Sequence, residues 1–406
     1  MNRRSDKQLL VGLDIGTSKV MAVVGEYARG EPLEVIGIGS HVSRGMKRGA
    51  VVDIESTMHA IRGAVEEAEL MAGCEIRSVH ASISGSHLET LNSHGTAAIR
   101  EREVTASDIE AVLAAASAVA IPADRKVLYK EPQEFRIDGQ DGIRHPVGMN
   151  GVRLEANVHL VTGAASAVQN LVKCIERCGI QVDALIPAAT ASARAVLTDD
   201  ERELGVCLVD IGAGTTDIAI YAQGAVRYTR ALPVGGDQVT NDIAFGIHTP
   251  TGNAEEIKIK YACALPQLAH SDETVQVPSV GDRPPRRLAR QALAQCVHDR
   301  YEEIFEMVQD ELRRSGLDNL ISAGVVLTGG AAPMEGALEL AEEVFHKMVR
   351  IGAPQLTGGR AEAVAAPVHA TAVGLLLHAA RNEVAMPAGN LDRMIGRLKG
   401  WLGKNF

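Results

Sequence analysis

The chain has 406 residues, 46% of them apolar and only 3% aromatic, enough for two or more domains with aliphatic cores and inconsistent with a disordered chain. Its formal charge of −10 argues against a broad nucleic-acid-binding surface, so no nucleic acid is expected as a partner. Cysteines at 74, 174, 178, 207, 263 and 296 never fall in a Cys-x-x-Cys pattern, which excludes a sequence-local zinc site and a disulfide framework.

The basic start Met1-Asn2-Arg3-Arg4, followed by Leu9-Leu10-Val11, imitates a leader peptide. Asp14 ends the apolar run too early, and no stretch reaches the ~20 apolar residues that span a bilayer. The expectation is a cytosolic protein, or one resting on a membrane from the cytosolic side. Residues 9–13 and 19–25 read as strands joined by a glycine turn, with 33–40 as the third strand of an antiparallel meander. Helical spacing of Ile54, Met58, Ile61, Val65, Ala68 and Met71 predicts a helix that stops before Gly73. A strand is expected at 79–84. Residues from 85 to about 160 read as an insertion: a helix capped by Thr105 or Ser107, short strands, a Gly/Asp-rich turn at 137–142, and a strand at 154–162. Helix 166–178 and strand 182–186 follow.

After an acidic loop at 198–203 the opening pattern recurs. Strands 206–211 and 216–221 flank a second glycine turn, and 225–231 completes another meander. Helical stretches at 237–245 and 254–264 lead to a polar, proline-bearing segment, then to a long amphipathic helix at 287–315. A buried strand at 324–328 runs into Gly329-Gly330, and 368–380 is an apolar helix.

The repeat centres on Asp14-Ile15-Gly16-Thr17-Ser18-Lys19 and Asp210-Ile211-Gly212-Ala213-Gly214-Thr215-Thr216. Two such turns in opposite halves suit a shared triphosphate. Glycine lets backbone N–H groups approach phosphates, and the hydroxyls of Thr17, Ser18, Thr215 and Thr216 add donors. Asp14 and Asp210 suit Mg²⁺ held through water. Lys19 reads equally as a phosphate partner or a surface lysine. Gly329-Gly330-Ala331 alone is an ordinary strand-to-helix turn; beside the two loops it becomes a flat rest for a base or ribose. Gly235-Gly236-Asp237 opens a helix whose N-terminus suits an anion, with Asp237 as its cap. Glu255 and Lys258 form an exposed ion pair or, in a two-lobed clamp, a grip on ribose and base. No P-loop and no nucleophile elbow occurs.

The C-terminus is distinct. A tether at 382–390 precedes a segment with Leu391, Met394, Ile395, Leu398, Trp401 and Leu402 on one helical face. Arg393, Arg397, Lys399 and Lys404 oppose Asp392, giving +3 against −13 for the rest. A helix docked on its own domain and a helix lying on an anionic lipid surface both fit the apolar face. The reversed charge and the interfacial tryptophan favour lipid. One such tail binds weakly, so firm attachment needs several on one assembly.

Taken together, these segments resemble the actin-like ATPase superfamily, an α/β, ribonuclease H-like, duplicated two-lobed fold, and within it the FtsA family of bacterial cell-division proteins. Asp14–Lys19 and Asp210–Asp217 resemble its phosphate loops, 327–331 its adenosine motif, and 185–193 and 367–374 its two connecting helices. The run Gly45-Met46-Lys47-Arg48-Gly49-Ala50-Val51-Val52-Asp53-Ile54, the insertion and the amphipathic tail are similar to features of this family. The resemblance implies subdomain 1A at 1–84, 163–203 and 361–381, the inserted subdomain 1C at 85–162, subdomain 2A at 204–245 and 319–360, and subdomain 2B at 246–318. A linker at 382–390 and a membrane-targeting helix at 391–406 complete it.

It further implies ATP and Mg²⁺ as ligands and self-assembly into a homopolymer. It implies binding of the C-terminal peptide of the tubulin-like FtsZ through 2B, contact with other division proteins through 1C, and a peripheral place on the cytoplasmic face of the inner membrane at the septum. Ile186 stands before Pro187, where related filaments carry a water-orienting acid, so at most slow ATP hydrolysis is expected. An MreB-type scaffold or a small-molecule kinase of the same superfamily is the alternative.

Overall fold

The computed structural model describes residues 7–28, 30–281, 284–356 and 358–384; helix Ala370–Val384 takes the first three residues of the linker expected at 382–390, and the rest of that linker and the amphipathic segment 391–406 lie outside the described residues. Two sheets form the frame and share one order over five strands; the first adds a sixth, Gly358–Gly359, parallel to Glu34–Val42. In the first, Gln8–Ile15, Lys19–Tyr27 and Glu34–Val42 make an antiparallel meander. Ser78–Ile83 and then Gln181–Pro187 add parallel to the open side of the first strand. In the second, Val206–Ile211, Thr216–Ala222 and Ala225–Leu232 make the meander, with Val325–Thr328 and Val349–Ile351 added in parallel.

Burial is continuous along the central strands, so each sheet is covered on both faces. The outer face of the first carries helices Ile54–Ala72 and Ala165–Glu176. Asp53 starts the former by accepting from the Ser56 N–H at 2.8 Å, and Gly73 ends it in the left-handed region (φ 67°) that glycine adopts without strain. The outer face of the second carries Gly236–Gly246 and Arg290–Ser315.

Helices Ala188–Val196 and Ala370–Val384 occupy the layer between the lobes. There Leu10, Met21 and Val23 of one sheet share a core with Leu208, Ala219 and Tyr221 of the other. The two helices cross at Gly374, where a Cβ would stand 1.8 Å from the Ala191 carbonyl oxygen. Only glycine permits that approach, so the joint between the lobes is narrow.

The insertion leaves the first lobe after Ser78–Ile83 and returns through Arg153–Ala164. It forms a separate four-stranded sheet in the order Leu88–Ala98, Arg153–Ala164, Arg125–Ile137, Gln140–Ile143. Helix Ala106–Ser117 covers it, and Val112, Ala116, Leu154, Val158 and Leu160 close a core of its own. Thr105 caps that helix, with the Asp108 carboxylate accepting from the Thr105 N–H at 3.0 Å.

Several local expectations are corrected. The acidic loop at 198–203 is helix Asp199–Leu204, capped reciprocally by Thr198 and Glu201. The proline-bearing segment folds as hairpin Thr274–Val277 with Arg286–Ala289, so the long helix starts at Arg290 rather than 287. Leu185, Ile186 and Pro187 finish a strand instead of opening a helix. The short strands expected in the insertion include one of 13 residues, Arg125–Ile137; it accommodates Pro132 opposite a register shift. Helix Ala337–Phe345 had no counterpart in the sequence reading. Among the described residues no helix is long and apolar enough to cross a membrane.

Candidate functional site

The two glycine turns meet across one cleft of ≈ 590 Å³, within the range of small-molecule sites. Each closes by the same bond: Gly16 N–H donates to the Lys19 carbonyl at 3.0 Å, and Gly212 N–H to the Thr215 carbonyl at 2.9 Å. They approach so closely that a Cβ on Gly214 would meet Thr17 Oγ1 at 2.4 Å. Gly16, Thr17, Ser18 and Lys19 line one wall and Gly212, Gly214 and Thr215 the facing one. Gly329, Gly330 and Ala331 form the floor toward the second lobe; Gly329 (φ 92°) tolerates no side chain, since a Cβ would lie 2.3 Å from Asp210 Oδ1.

One pole of the cleft is acidic. Asp14 and Asp210 end the first strands of the two sheets, and Asp217 stands opposite Asp210 across the antiparallel pair. Hydroxyls support each carboxylate. Ser82 Oγ donates to Asp14 Oδ1 at 2.7 Å. Ser192 and Thr371, one from each connecting helix, donate to Asp210 Oδ2, the latter at 3.1 Å. Ser84 Oγ lies 2.7 Å from both oxygens of Asp217, and Thr215 donates to it at 3.0 Å.

Burial disfavours the ionised forms. It pushes Asp14 up against the opposing effects of Ser82 and Lys19. Burial, reinforced by repulsion from neighbouring carboxylates, pushes Asp210 to about 6 and Asp217 to about 7. Lys19 is correspondingly lowered by burial, with Asp14 opposing. A divalent cation fits this donor set, because it would relieve both the desolvation and the mutual repulsion. Among the described residues no three acidic, cysteine or histidine side chains converge closely enough to ligate a metal directly, so the fit is to a hydrated ion such as Mg²⁺.

At the other end, Lys258 Nζ reaches Glu255 at 2.7 Å, Thr240 Oγ1 at 2.8 Å and the Gly236 carbonyl at 3.0 Å. Glu255 keeps 44% of its side chain exposed, facing the cleft. The ion pair therefore clamps helix Thr251–Tyr261 onto Gly236–Gly246 and leaves acceptor capacity free. Tyr301 OH donates to the Ala331 carbonyl at 2.8 Å and fixes the floor.

Two expected residues lie behind the wall instead of on it. Thr216 is buried and donates to the Val234 carbonyl at 2.9 Å. Gly235 packs on the Gly212 carbonyl, where a Cβ would stand 2.5 Å away. The helix N-terminus at Gly236, expected to be an open anion site, is already engaged: Gly236 N–H donates to Gly212 O and Asp237 N–H to Ala213 O. It braces the second glycine loop, and Gly235, not Asp237, is its cap. Asp217, Ser82, Ser84, Ser192 and Thr371 were missed. Asp217 alone left a signal, an acid seven residues after Asp210; the hydroxyls are scattered in sequence and meet only in the fold.

Two sheets that share one order over five strands, hinged by crossed helices over a glycine-lined cleft, define an actin-like two-lobed protein with an inserted subdomain. Solved structures share that fold. The PilM–PilN type IV pilus biogenesis complex aligns at a TM-score of 0.64 with 16% identity, over 91% of this chain and 98% of that one. MreB 5 of Spiroplasma citri bound to AMPPNP aligns at 0.56 with 13% identity, over 93% and 98%.

The chain belongs to the FtsA family of cell division proteins. The model of cell division protein FtsA matches residues 207–374, and that of the SHS2 domain inserted in FtsA matches 85–162. Cell division protein FtsA of Pseudomonas aeruginosa is 56% identical, covering 98% of each chain, and that of Escherichia coli K12 is 46% identical, covering 100% of each.

Proposed function

We propose that this division protein is an ATP- and Mg²⁺-binding scaffold that polymerises on the cytoplasmic face of the inner membrane and anchors FtsZ at the division ring. The observation that carries the reading is the facing of two equivalent glycine turns across one cleft with buried carboxylates at its pole. The N–H groups and hydroxyls of 16–18 and 212–215 would take the phosphates, with Lys19 adding charge. Asp14 and Asp210 would hold the waters of Mg²⁺, with Asp217 beside them; the ion would supply charge neutralisation of the phosphates. Gly329-Gly330-Ala331 would face the adenosine, and Glu255 the ribose. The structure of MreB 5 of Spiroplasma citri bound to AMPPNP supports a nucleotide in this fold.

Hydrolysis is slow in this reading. Ile186 is wholly buried against Ala191 and Leu375, and no carboxylate stands at that place before Pro187. Purified protein turning over ATP many times per second overturns this part.

The FtsZ peptide is assigned to 2B. Between Gly236–Gly246 and Arg290–Ser315 lies a second cavity of ≈ 420 Å³, lined by Asp242, Cys296, Asp299, Arg300 and Glu303, which offers a polar seat at the edge of that subdomain. Membrane attachment is assigned to Leu391, Met394, Ile395, Leu398, Trp401 and Leu402 with Arg393, Arg397 and Lys399. Contact with other division proteins is assigned to 1C.

Titration of the full chain with MgATP tests the cleft: saturable binding weakened by EDTA is expected, and its absence overturns the reading. For the tail, Trp401→Glu should release the protein from anionic liposomes in co-sedimentation while its melting curve stays unchanged. Retained binding removes 391–406 from the account.

A further inference from the structure

The inserted subdomain does not stand clear of the second lobe. Strand Ala225–Leu232 is the outer strand of the second-lobe sheet, and side chains of the insertion cover its open edge. Thr90 Oγ1 donates to the Thr229 carbonyl at 2.9 Å, Asn92 Nδ2 to the Arg227 carbonyl at 3.0 Å, and Gln133 Nε2 to the Val226 carbonyl at 2.7 Å. His159, 1% exposed, stands between them, with Nδ1 2.8 Å from Asn92 Oδ1 and Nε2 3.0 Å from Thr229 Oγ1.

An unpaired sheet edge is usually blunted or covered, because it recruits other strands. Here the cover is made of side-chain hydrogen bonds to backbone carbonyls, while the apolar core of the insertion is closed within itself. Groups of this kind exchange protein partners for water at little net cost, whereas separating a shared apolar core would be expensive. The cover is therefore built to detach as a body.

Its root is in the cleft. Ser84 immediately precedes Gly85 (φ 130°), the first residue of the insertion, and its hydroxyl rests on both oxygens of Asp217. A second clasp holds entry and exit together: Arg125 donates to the carbonyls of His87 and Thr162, at 3.0 and 3.2 Å. Entry and exit strands thus move as one, and Ser84 ties them to the second lobe at the acidic pole of the cleft, through Asp217 and through Thr215 Oγ1 at 3.2 Å.

We propose that a magnesium-bound nucleoside triphosphate releases the insertion from the second lobe, because the waters of the hydrated cation take the Asp217 carboxylate from the Ser84 hydroxyl and the root then pivots, uncovering strand 225–232. The inference rests on the nucleotide reading of the cleft. Waters polarised by a divalent cation are stronger donors to a carboxylate than a neutral serine hydroxyl. Once Ser84 loses the Asp217 carboxylate, the latch formed by Asn92, Gln133, Thr90 and His159, with Arg144 donating to the Gln223 carbonyl at 3.2 Å, must hold the subdomain. Coupling of this kind is reciprocal: if the ligand opens the latch, weakening the latch tightens the ligand by the same factor.

Hydrogen exchange on the full chain, with and without Mg²⁺ and ATPγS, tests it, with binding measured calorimetrically on the same samples. Exchange should slow in 16–19 and 212–215 and quicken about tenfold in 225–232. Ser84→Ala should show the fast exchange in 225–232 without nucleotide. Asn92→Ala, outside the cleft, should bind the nucleotide about threefold to tenfold more tightly. Saturable binding with protected loops but unchanged or slower exchange in 225–232 overturns this inference alone. So does an unaltered affinity in Asn92→Ala. No saturable binding overturns the nucleotide reading and this inference with it.

Discussion

The glycine turns of the two lobes share a backbone and differ in chemistry. Both strands end in Asp-Ile-Gly, and both turns close through the same N–H to carbonyl bond three residues on. The residue at that third position is Lys19 in the first lobe and Thr215 in the second. Directly across the antiparallel pair from the leading aspartate stands Met21 in the first lobe and Asp217 in the second. Met21 sinks into the apolar layer between the lobes, whereas Asp217 opens on the cleft. The two lobes keep the turn and divide the charges: a cation on one side, a second carboxylate on the other. The first lobe thus pairs Asp14 with a cation, and the second pairs Asp210 with another carboxylate.

The comparison breaks most visibly if symmetry is imposed. Met21→Asp would copy the second lobe into the first, but position 21 is 2% exposed and surrounded by Leu10, Val23 and Val35. A carboxylate without donors there should cost roughly 3 kcal/mol or more, or protonate. The melting temperature should fall sharply, and a melt within a degree of the natural chain would show the layer to be wetter than its packing implies. Asp210→Ala ranks next. Removing a charged acceptor of the metal's waters should weaken MgATP by roughly 10- to 100-fold, the scale of hydrogen bonds to charged groups at about 1.5–3 kcal/mol. Asp14→Ala should lose less, because Lys19 remains at its side. Equal losses in the two variants would erase the distinction between the lobes, and unchanged affinity in Asp210→Ala would remove the metal assignment.

What could be read from the sequence follows how locally each feature is encoded. The turns were legible because Asp-Ile-Gly between two apolar strands is a short signal, and its repetition raised it above chance. Met58, Ile61, Val65 and Ala68 announced a helix by spacing alone, and the structure buries all four. Helix Asp199–Leu204 was missed because six residues are too few to show a period, although Thr198 and Glu201, three apart, spelled its capping box. Hairpin 274–277 with 286–289 was hidden because its strands are four residues each and prolines dominate the segment between them. The supports of the carboxylates were illegible for a different reason. Ser192 and Thr371 are 179 residues apart and meet at Asp210 only because two helices cross at Gly374. Nothing in either neighbourhood distinguishes those hydroxyls from ordinary helix residues.

The smallest effect is the most specific to the second lobe. Asp217 is pushed up to about 7, above the ~3.9 of an unfolded aspartate. Between those values the folded chain holds more protons than the unfolded one, so this group makes the ligand-free protein less stable as pH rises from about 4 to about 7. Histidines slope the other way. His159 and His378 are held neutral by burial, to about 4 and about 3, and add stability as pH rises toward 6.5. The net curve therefore mixes the two, and the difference between Asp217→Asn and the natural chain isolates the aspartate. Asparagine keeps an acceptor for Ser84 and carries no charge, so the variant should melt slightly higher than the natural chain at pH 5 and clearly higher at pH 8. Asp14→Asn, whose site already holds Lys19, should show a shallower version of the same divergence. Saturating MgATP should narrow both gaps, since the cation stabilises the ionised carboxylates that the ligand-free cleft penalises. Curves for Asp217→Asn and the natural chain that run parallel from pH 5 to 8 would mean that Asp217 ionises freely, and the second lobe would then hold no stored repulsion for a metal to relieve.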